Sequence, residues 1–288
     1  MPVSSPLHAR FPDGRLHLQH GPIDCIAEAW GAAEEVDKAY AQIRARFEDV
    51  LDTLVGELEI LKAPLTPAYP LVRGPVARRM VAATWPFRTL FITPMAAVAG
   101  AVADELLEAM VRGRELGKAY VNDGGDIAVH LAGPAQFDVG IATDPASTLL
   151  AGSLKLRSRD PVRGIATSGW RGRSQSLGIA DAVTVLAATA AAADAAATMI
   201  ANAVDIQHPA IRRLPARQVK EDSDLGDLLV TVDVGVLPPD AISAALDAGE
   251  GVAQRLCREG LITGASLALA GQWRTVGLTP PLRMTAQC

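Results

Sequence analysis

The sequence predicts a single α+β domain over residues 1–288, mainly antiparallel sheet packed with helices, and three observations carry that expectation. Helix-period apolar segments and short β-like runs follow one another in irregular order, without the strict strand–helix alternation of a wound parallel sheet. Apolar residues make up 49% of the chain and charged ones 20%, enough to fill a sizeable core at this length. No Pro/Gly/Ser-rich or charge-dense stretch separates two halves.

The elements follow from local pattern. Residues 15–20 alternate polar and apolar, Gly21-Pro22 breaks the run, and residues 23–28 resume it, which predicts an opening hairpin. From residue 32 to about 61, Val36, Tyr40, Ile43, Phe47, Val50, Leu54, Leu58 and Leu61 recur every three or four positions. That spacing predicts a long N-terminal amphipathic helix, with Gly56 as its weak point. Pro64, Pro67 and Pro70 exclude regular helix; a short helix starts at Pro75 and stops before Trp85-Pro86. Thr93-Pro94 supplies a hydroxyl cap and a proline at the first helical position for a helix to about Arg112, closed by Gly113.

Beyond Gly113, β-like runs fall at 119–122, 127–131, 137–142, 153–157, 164–168 and 182–186. Residues 189–203 are Ala-rich and helical, 228–234 form a strand, Asp240 caps a helix to about Glu259, and 261–276 form a terminal hairpin turning at Gly271.

Several function classes are disfavoured. The net charge of −5 gives no general attraction to phosphate backbones or anionic lipid, so nucleic acid is not an expected partner. Cys25, Cys257 and Cys288 are odd in number and widely spaced, matching neither a disulfide framework nor a zinc site, and a reducing cytoplasm fits them. The first ten residues lack a signal-peptide pattern. The two most apolar stretches, 91–111 and 183–204, carry Asp104, Glu105, Glu108 and Asp194, and so read as buried helices rather than membrane spans. His17, His20, His130 and His208 have no metal-ligand spacing, and no Gly-x-Ser-x-Gly elbow is present.

Three stretches carry chemistry. In Tyr120-Val-Asn-Asp-Gly-Gly-Asp126, two glycines interrupt strand-like residues and set Asn122, Asp123 and Asp126 around one sharp turn, open to a ligand through Gly124 and Gly125; a plain hairpin turn uses the same residue types. On the 189–203 helix, Asp194 and Thr198 are four apart and share a face, offering a carboxylate and a hydroxyl to a hard cation such as Mg²⁺; the alternative is a solvated Asp194 beside a Thr198 bonded to its own backbone. Thr167-Ser-Gly-Trp-Arg-Gly-Arg-Ser174 combines hydroxyls, an indole and two guanidiniums, suited to phosphate and ring contacts or to a mobile surface loop. Asp181, at the entrance of the next strand, is a further acid or a turn residue.

Taken in order, these motifs resemble the ApbE superfamily, whose best-known members are Mg²⁺-dependent enzymes that move FMN from FAD onto a protein threonine. The resemblance covers roughly residues 90–205: Val121-Asn-Asp-Gly-Gly-Asp126 is similar to the Gly-Gly-Asp segment, Thr167-Ser-Gly169 to the Ser-Gly loop, and Val183-Thr-Val185 followed by Ala193-Asp-Ala-Ala-Ala-Thr198 to the strand and metal-binding helix. It implies an ApbE-like fold, Asp194 and Thr198 as metal ligands helped by a carbonyl near Val98 or Ala99, and Asp126 on substrate or metal. Asp126 and Asp181 are then the candidate catalytic acids, and Asn122, Gly124, Gly125, Thr167, Ser168 and Gly169 the candidate cofactor contacts.

Ala99-Gly100 stands where the flavin transferases have Lys-Gly, and Ser176-Leu-Gly-Ile-Ala-Asp181 replaces their His-x-x-Asp-Pro segment. These departures argue against standard FMN transfer to protein. His20-Gly-Pro-Ile-Asp24 and the 92–104 segment resemble instead an uncharacterised cytoplasmic branch of the superfamily. The implied role is a Mg²⁺-dependent transferase or pyrophosphate-cleaving enzyme acting on FAD or a related nucleotide or pterin-like cofactor. The alternative is a non-catalytic flavin- or nucleotide-binding protein, or a scaffold, with a homodimer as a further expectation.

Overall fold

The computed structural model describes residues 5–142 and 150–278; Cys288 lies outside them, while Cys25 and Cys257 are free thiols. The strands are β1 (Leu7–Arg10), β2 (Leu16–His20), β3 (Ile23–Gly31), β4 (Leu116–Asp123), β5 (Asp126–Leu131), β6 (Gln136–Ala142), β7 (Leu150–Arg157), β8 (Gly164–Ser168), β9 (Ala182–Ala187), β10 (Ile211–Pro215), β11 (Leu229–Val234), β12 (Gly264–Leu269) and β13 (Gln272–Val276). The helices are α1 (Ala33–Phe47), α2 (Val50–Val55), α3 (Leu58–Lys62), α4 (Pro75–Thr84), α5 (Val98–Val111), α6 (Ala190–Ala203), α7 (Ala216–Val219) and α8 (Pro239–Arg258). Mixed helix and antiparallel sheet is thus the architecture expected from the sequence.

The chain forms two compact units, each gathered from several stretches: Met1–Phe137, Arg157–Ala166 and Ala188–Ala195 in the first, Asp138–Leu156, Thr167–Ala187 and Ala196–Cys288 in the second. In the first, β1 to β5 form an antiparallel meander, β3 pairing with β4 across the long excursion that carries α1 to α5. β5 continues onto the start of β8 through Ile127↔Ile165 and Ala128↔Gly164. Strict alternation along β2 and β3 turns Leu16, Leu18, Cys25 and Ala27 inward, where they meet Tyr40, Ile43 and Phe47 of α1 and Val102, Leu106 and Met110 of α5.

In the second unit β9, β12 and β13 pair antiparallel, with Val183, Val185, Ala265 and Leu267 buried. The helix α8 packs on β12 and β13. The hairpin β12–β13 turns at Ala270-Gly271, as the sequence predicts, with both residues at positive φ. β10 pairs with β11.

Three local expectations are corrected. The long N-terminal helix is divided into α1, α2 and α3: the second break falls at Gly56-Glu57, the weak point marked in the sequence, and the first, at Glu48-Asp49, is the unforeseen one. Asp49 (φ −115°, ψ 5°) and Glu57 (φ −118°, ψ 10°) leave the helical path, and Glu57 turns its carboxylate to the Arg73 and Gly74 amides at 2.6 and 2.8 Å, ahead of α4. That acceptor role at a helix start competes with continuing the helix. Thr93 makes no side-chain cap; Pro94 opens a four-residue 3-10 turn that leads into α5. The last long helix begins at Pro239 after Pro238, so Asp240 sits inside its first turn, where an acid favours the helix dipole, instead of capping it.

Candidate functional site

The Gly-Gly turn is a two-residue hairpin loop. Asp123 and Asp126 are direct cross-strand partners, and Gly124 and Gly125 have φ of +64° and +116°, a conformation that leaves glycine as the fitting residue at both positions. The Asn122 side-chain oxygen accepts the Gly125 amide at 2.8 Å and closes the turn. This loop forces two carboxylates opposite each other on one face of the sheet, an arrangement that costs energy unless something positive offsets it. Asp123 is 5% exposed. The Asp24 amide approaches its Oδ1 at 3.4 Å, and the buried Cys25 thiol, pushed well up by burial and then by Asp123, bonds to it.

A third carboxylate comes from α6. The Gly100 amide of α5 donates to Asp194 Oδ2 at 3.0 Å. Burial raises the Asp194 carboxyl well above the ordinary range, and the charges of Asp126 and then Asp123 and Asp104 push the same way, against the Gly100 bond. Gly100 is required by space: a Cβ there would lie 2.3 Å from the Ala190 carbonyl oxygen. Asp104, one turn further along α5, accepts the Ala190 and Ala191 amides at 2.9 Å each and so caps α6. Burial raises its carboxyl, with the two amide bonds opposing.

The first unit therefore gathers Asn122, Gly124, Gly125 and Asp126 of the sequence-predicted residues with Asp194. Thr198 stands one turn beyond Asp194 on α6, half-buried. Among the described residues no three His, Cys, Asp or Glu side chains form a ready-made ligand set. Any cation held here needs hydroxyl, carbonyl, water or ligand oxygens as well.

Asp181 has a different setting, within the second unit. Its Oδ1 accepts Trp170 Nε1 at 3.2 Å and Arg171 Nε at 2.6 Å, and its Oδ2 accepts the Ala270 amide at 2.6 Å. Ala270 has φ +49°, strained for a residue with a side chain, and the Asp181 bond holds it there. Arg171 also lies over the Trp170 ring at 4.7 Å. The carboxylate thus ties the 170–171 loop to the β12–β13 turn. Thr167 and Thr184 share a hydroxyl hydrogen bond of 2.9 Å. Ser168 is half-buried, and a Cβ on Gly169 would lie 2.5 Å from the Asp181 carbonyl oxygen, so the backbone there admits no side chain.

Asp104 escapes a reading of the sequence, where it figures only as a charge within an apolar stretch. Its one local signal is a spacing of four from Gly100 on α5, which puts both on the face that meets α6.

The family model described as "AbpE bacteria" matches residues 8–275. Curated relatives include a UPF0280 protein of Methanothrix thermoacetophila, 38% identical over 133 residues (45% of this chain, 52% of the relative), and one of Methanosarcina acetivorans, 40% identical over 137 residues (47% and 51%). The match spans about half the length of these relatives. Among solved structures, the flavinyl transferase ApbE of Pseudomonas stutzeri superposes over 96% of both chains at 13% identity and a TM-score of 0.43. The flavin transferase ApbE of Vibrio cholerae does so over 95% and 97% at 11% identity and a TM-score of 0.46.

Proposed function

We propose that this chain, which belongs to the AbpE bacteria family, is a metal-assisted enzyme acting on FAD or a related nucleotide or pterin-like cofactor. The observation that carries this reading is the convergence of like charges: Asp123 and Asp126 face each other across a two-residue turn, and their charges bear on a third, half-buried carboxyl, Asp194. A divalent cation would offset that repulsion, which together with burial raises the Asp194 carboxyl, and would complete its shell with hydroxyl, carbonyl, water or ligand oxygens. Asp194 is the proposed ligand, with Asp126 on metal or substrate and Thr198 supplying a hydroxyl. Mg²⁺, when bound, would neutralise charge on pyrophosphate oxygens.

The chain's own residues set the rest. The Gly100 amide orients the Asp194 carboxylate. Gly124 and Gly125, without side chains, let a ligand approach the backbone of the turn, and Asn122 holds the turn in shape. In the second unit Thr167, Ser168 and Gly169 are proposed cofactor contacts, and Asp181, proposed from sequence as a catalytic acid, is better suited to hold the loop beside them. The names of the solved neighbours, which are flavin transferases, agree with a flavin-type ligand, while Ala99 in place of lysine favours a reaction other than standard FMN transfer to protein. A single domain over 1–288, a cytoplasmic location and a homodimer belong to the same proposal. No helix among the described residues is long and apolar enough to cross a membrane.

The test is a thermal-shift titration of metal-stripped protein with FAD, FMN, ATP and a pterin, each with and without Mg²⁺, since a ligand that binds the native state raises its apparent stability. One cofactor is expected to give a Mg²⁺-dependent shift that Asp194→Ala abolishes. An unchanged shift in folded Asp194→Ala refutes the metal assignment. Stoichiometric binding without turnover, over hours with Mg²⁺ present, selects the non-catalytic binding protein, a reading that the missing lysine also favours.

A further inference from the structure

We propose that Asp104 is a positioning residue for this cation site: by capping α6 it fixes where Asp194 stands. The inference rests on the metal reading for its functional consequence, but the geometry behind it is independent of any metal. Two rungs join α5 to α6. Asp104 Oδ1 and Oδ2 accept the amides of Ala190 and Ala191, the first two residues of α6, at 2.9 Å each. One turn earlier on α5 the Gly100 amide donates to Asp194 Oδ2, one turn further into α6, at 3.0 Å. Residues four apart on one helix thus grip residues four apart on the other.

The helices touch through backbone at this crossing. A Cβ on Gly100 would lie 2.3 Å from the Ala190 carbonyl oxygen and 2.7 Å from the Ala191 nitrogen, so α6 has no slack toward α5. Motion along or away from α5 is what remains, and the forked acceptor at the α6 start opposes it, because both amides must keep the same carboxylate in register. Removing that acceptor leaves two helix-terminal N–H groups without their partner. The start of α6 then shifts until water or another acceptor reaches them. Asp194 sits one turn on in the same rigid helix and moves with it, away from the Gly100 amide. A carboxylate misplaced in this way meets a cation poorly, as when the outer partners of metal ligands are removed.

A residue that merely caps α6 would affect stability alone, so the experiment reads two quantities that capping need not change. The full-length wild type, Asp104→Ala, Asp104→Asn and Asp194→Asn are compared for Mn²⁺ affinity by electron paramagnetic resonance, and for exchange of the Gly100 amide by NMR without metal. Thermal melts verify folding. Wild type is expected to bind Mn²⁺ and Asp194→Asn to lose it. Asp104→Ala should bind at least about tenfold more weakly and exchange the Gly100 amide about tenfold faster, with Asp104→Asn, which keeps one acceptor oxygen, in between. If Asp104→Ala does not fold, Asp104→Asn decides by the same two readouts.

Folded Asp104 variants with wild-type Mn²⁺ affinity and wild-type Gly100 protection overturn the inference and leave the metal reading standing. Wild-type protein that binds no Mn²⁺, together with faster Gly100 exchange in the variants, overturns the metal reading while the positioning of Asp194 by Asp104 holds.

Discussion

Gly164 tests the packing that brings α6 to the acidic cluster. In β8 it pairs with Ala128 of β5, and a Cβ at this position would lie 2.0 Å from both the carbonyl carbon and oxygen of Thr189 and 2.2 Å from the Ala190 nitrogen. These are backbone atoms, so no side-chain rotation relieves the clash. Reaching even the 3.4 Å edge of ordinary contact requires about 1.4 Å of separation between β8 and the α6 start. Such a shift directed away from Asp104 stretches its bonds to Ala190 and Ala191, now 2.9 Å, beyond useful length. Overpacking alone costs about 1–3 kcal/mol, so Gly164→Ala is expected to lose at least that much, and a shift away from Asp104 adds about 1.5–3 kcal/mol for each bond to the charged acceptor that breaks. Against the ~5–15 kcal/mol stability of an ordinary protein this is readily measured. The matched control is Gly251→Ala in α8, exposed and with nothing within 4 Å of its Cβ, which is expected to gain about 0.5–1 kcal/mol. Urea unfolding of both variants decides the matter. A Gly164→Ala midpoint equal to wild type would falsify the close approach of β8 to α6, and with it the account of how Asp194 is placed.

Two further predictions use the same physical terms. Burial first, and the nearby Arg163 charge in addition, lower the His130 pKa from 6.5, with the Leu116 backbone opposing. A base with a depressed native pKa is neutral in the fold while the unfolded chain takes up protons, so stability falls as pH drops below 6.5 and through the native value. His130→Gln should therefore lose less stability than wild type between neutral and mildly acid pH, as read by melting temperature; parallel pH profiles would show that His130 does not contribute. Asp181→Ala removes the acceptor of Trp170, Arg171 and the strained Ala270, at a cost of about 1–3 kcal/mol, since the Arg171 guanidinium left behind is exposed to water. Trypsin should cut faster after Arg171 and Arg173, and an unchanged cleavage rate would mean that another contact holds the loop.

The parts of this fold legible in the sequence are those whose cause is local. Gly124-Gly125 reads as a tight turn because positive φ at two adjacent positions is a property of those residues alone, and the register of the turn then places Asp123 opposite Asp126 without reference to the rest of the chain. Asp194 stands out because an acid among alanines on a helix contradicts its own neighbourhood. Where the cause lies far along the chain, the local pattern misleads. The heptad-like spacing from Val36 to Leu61 is that of one helix, and nothing near Glu57 announces that its carboxylate serves amides 16 and 17 residues downstream. Asp104 is the extreme case: its partners lie 86 and 87 residues away, so in the sequence it is only one charge among the apolar residues of a helix read as buried. Asp181 reads as an acid at a strand entrance, but its loop-holding role depends on Ala270, 89 residues on. In each case the long-range partner is a backbone amide at a helix start or a tight turn. Backbone donors carry no side-chain identity and leave no residue pattern at the far end of the bond. Carboxylates that hold the site in place are therefore harder to recognise from sequence than those proposed to bind the ligand.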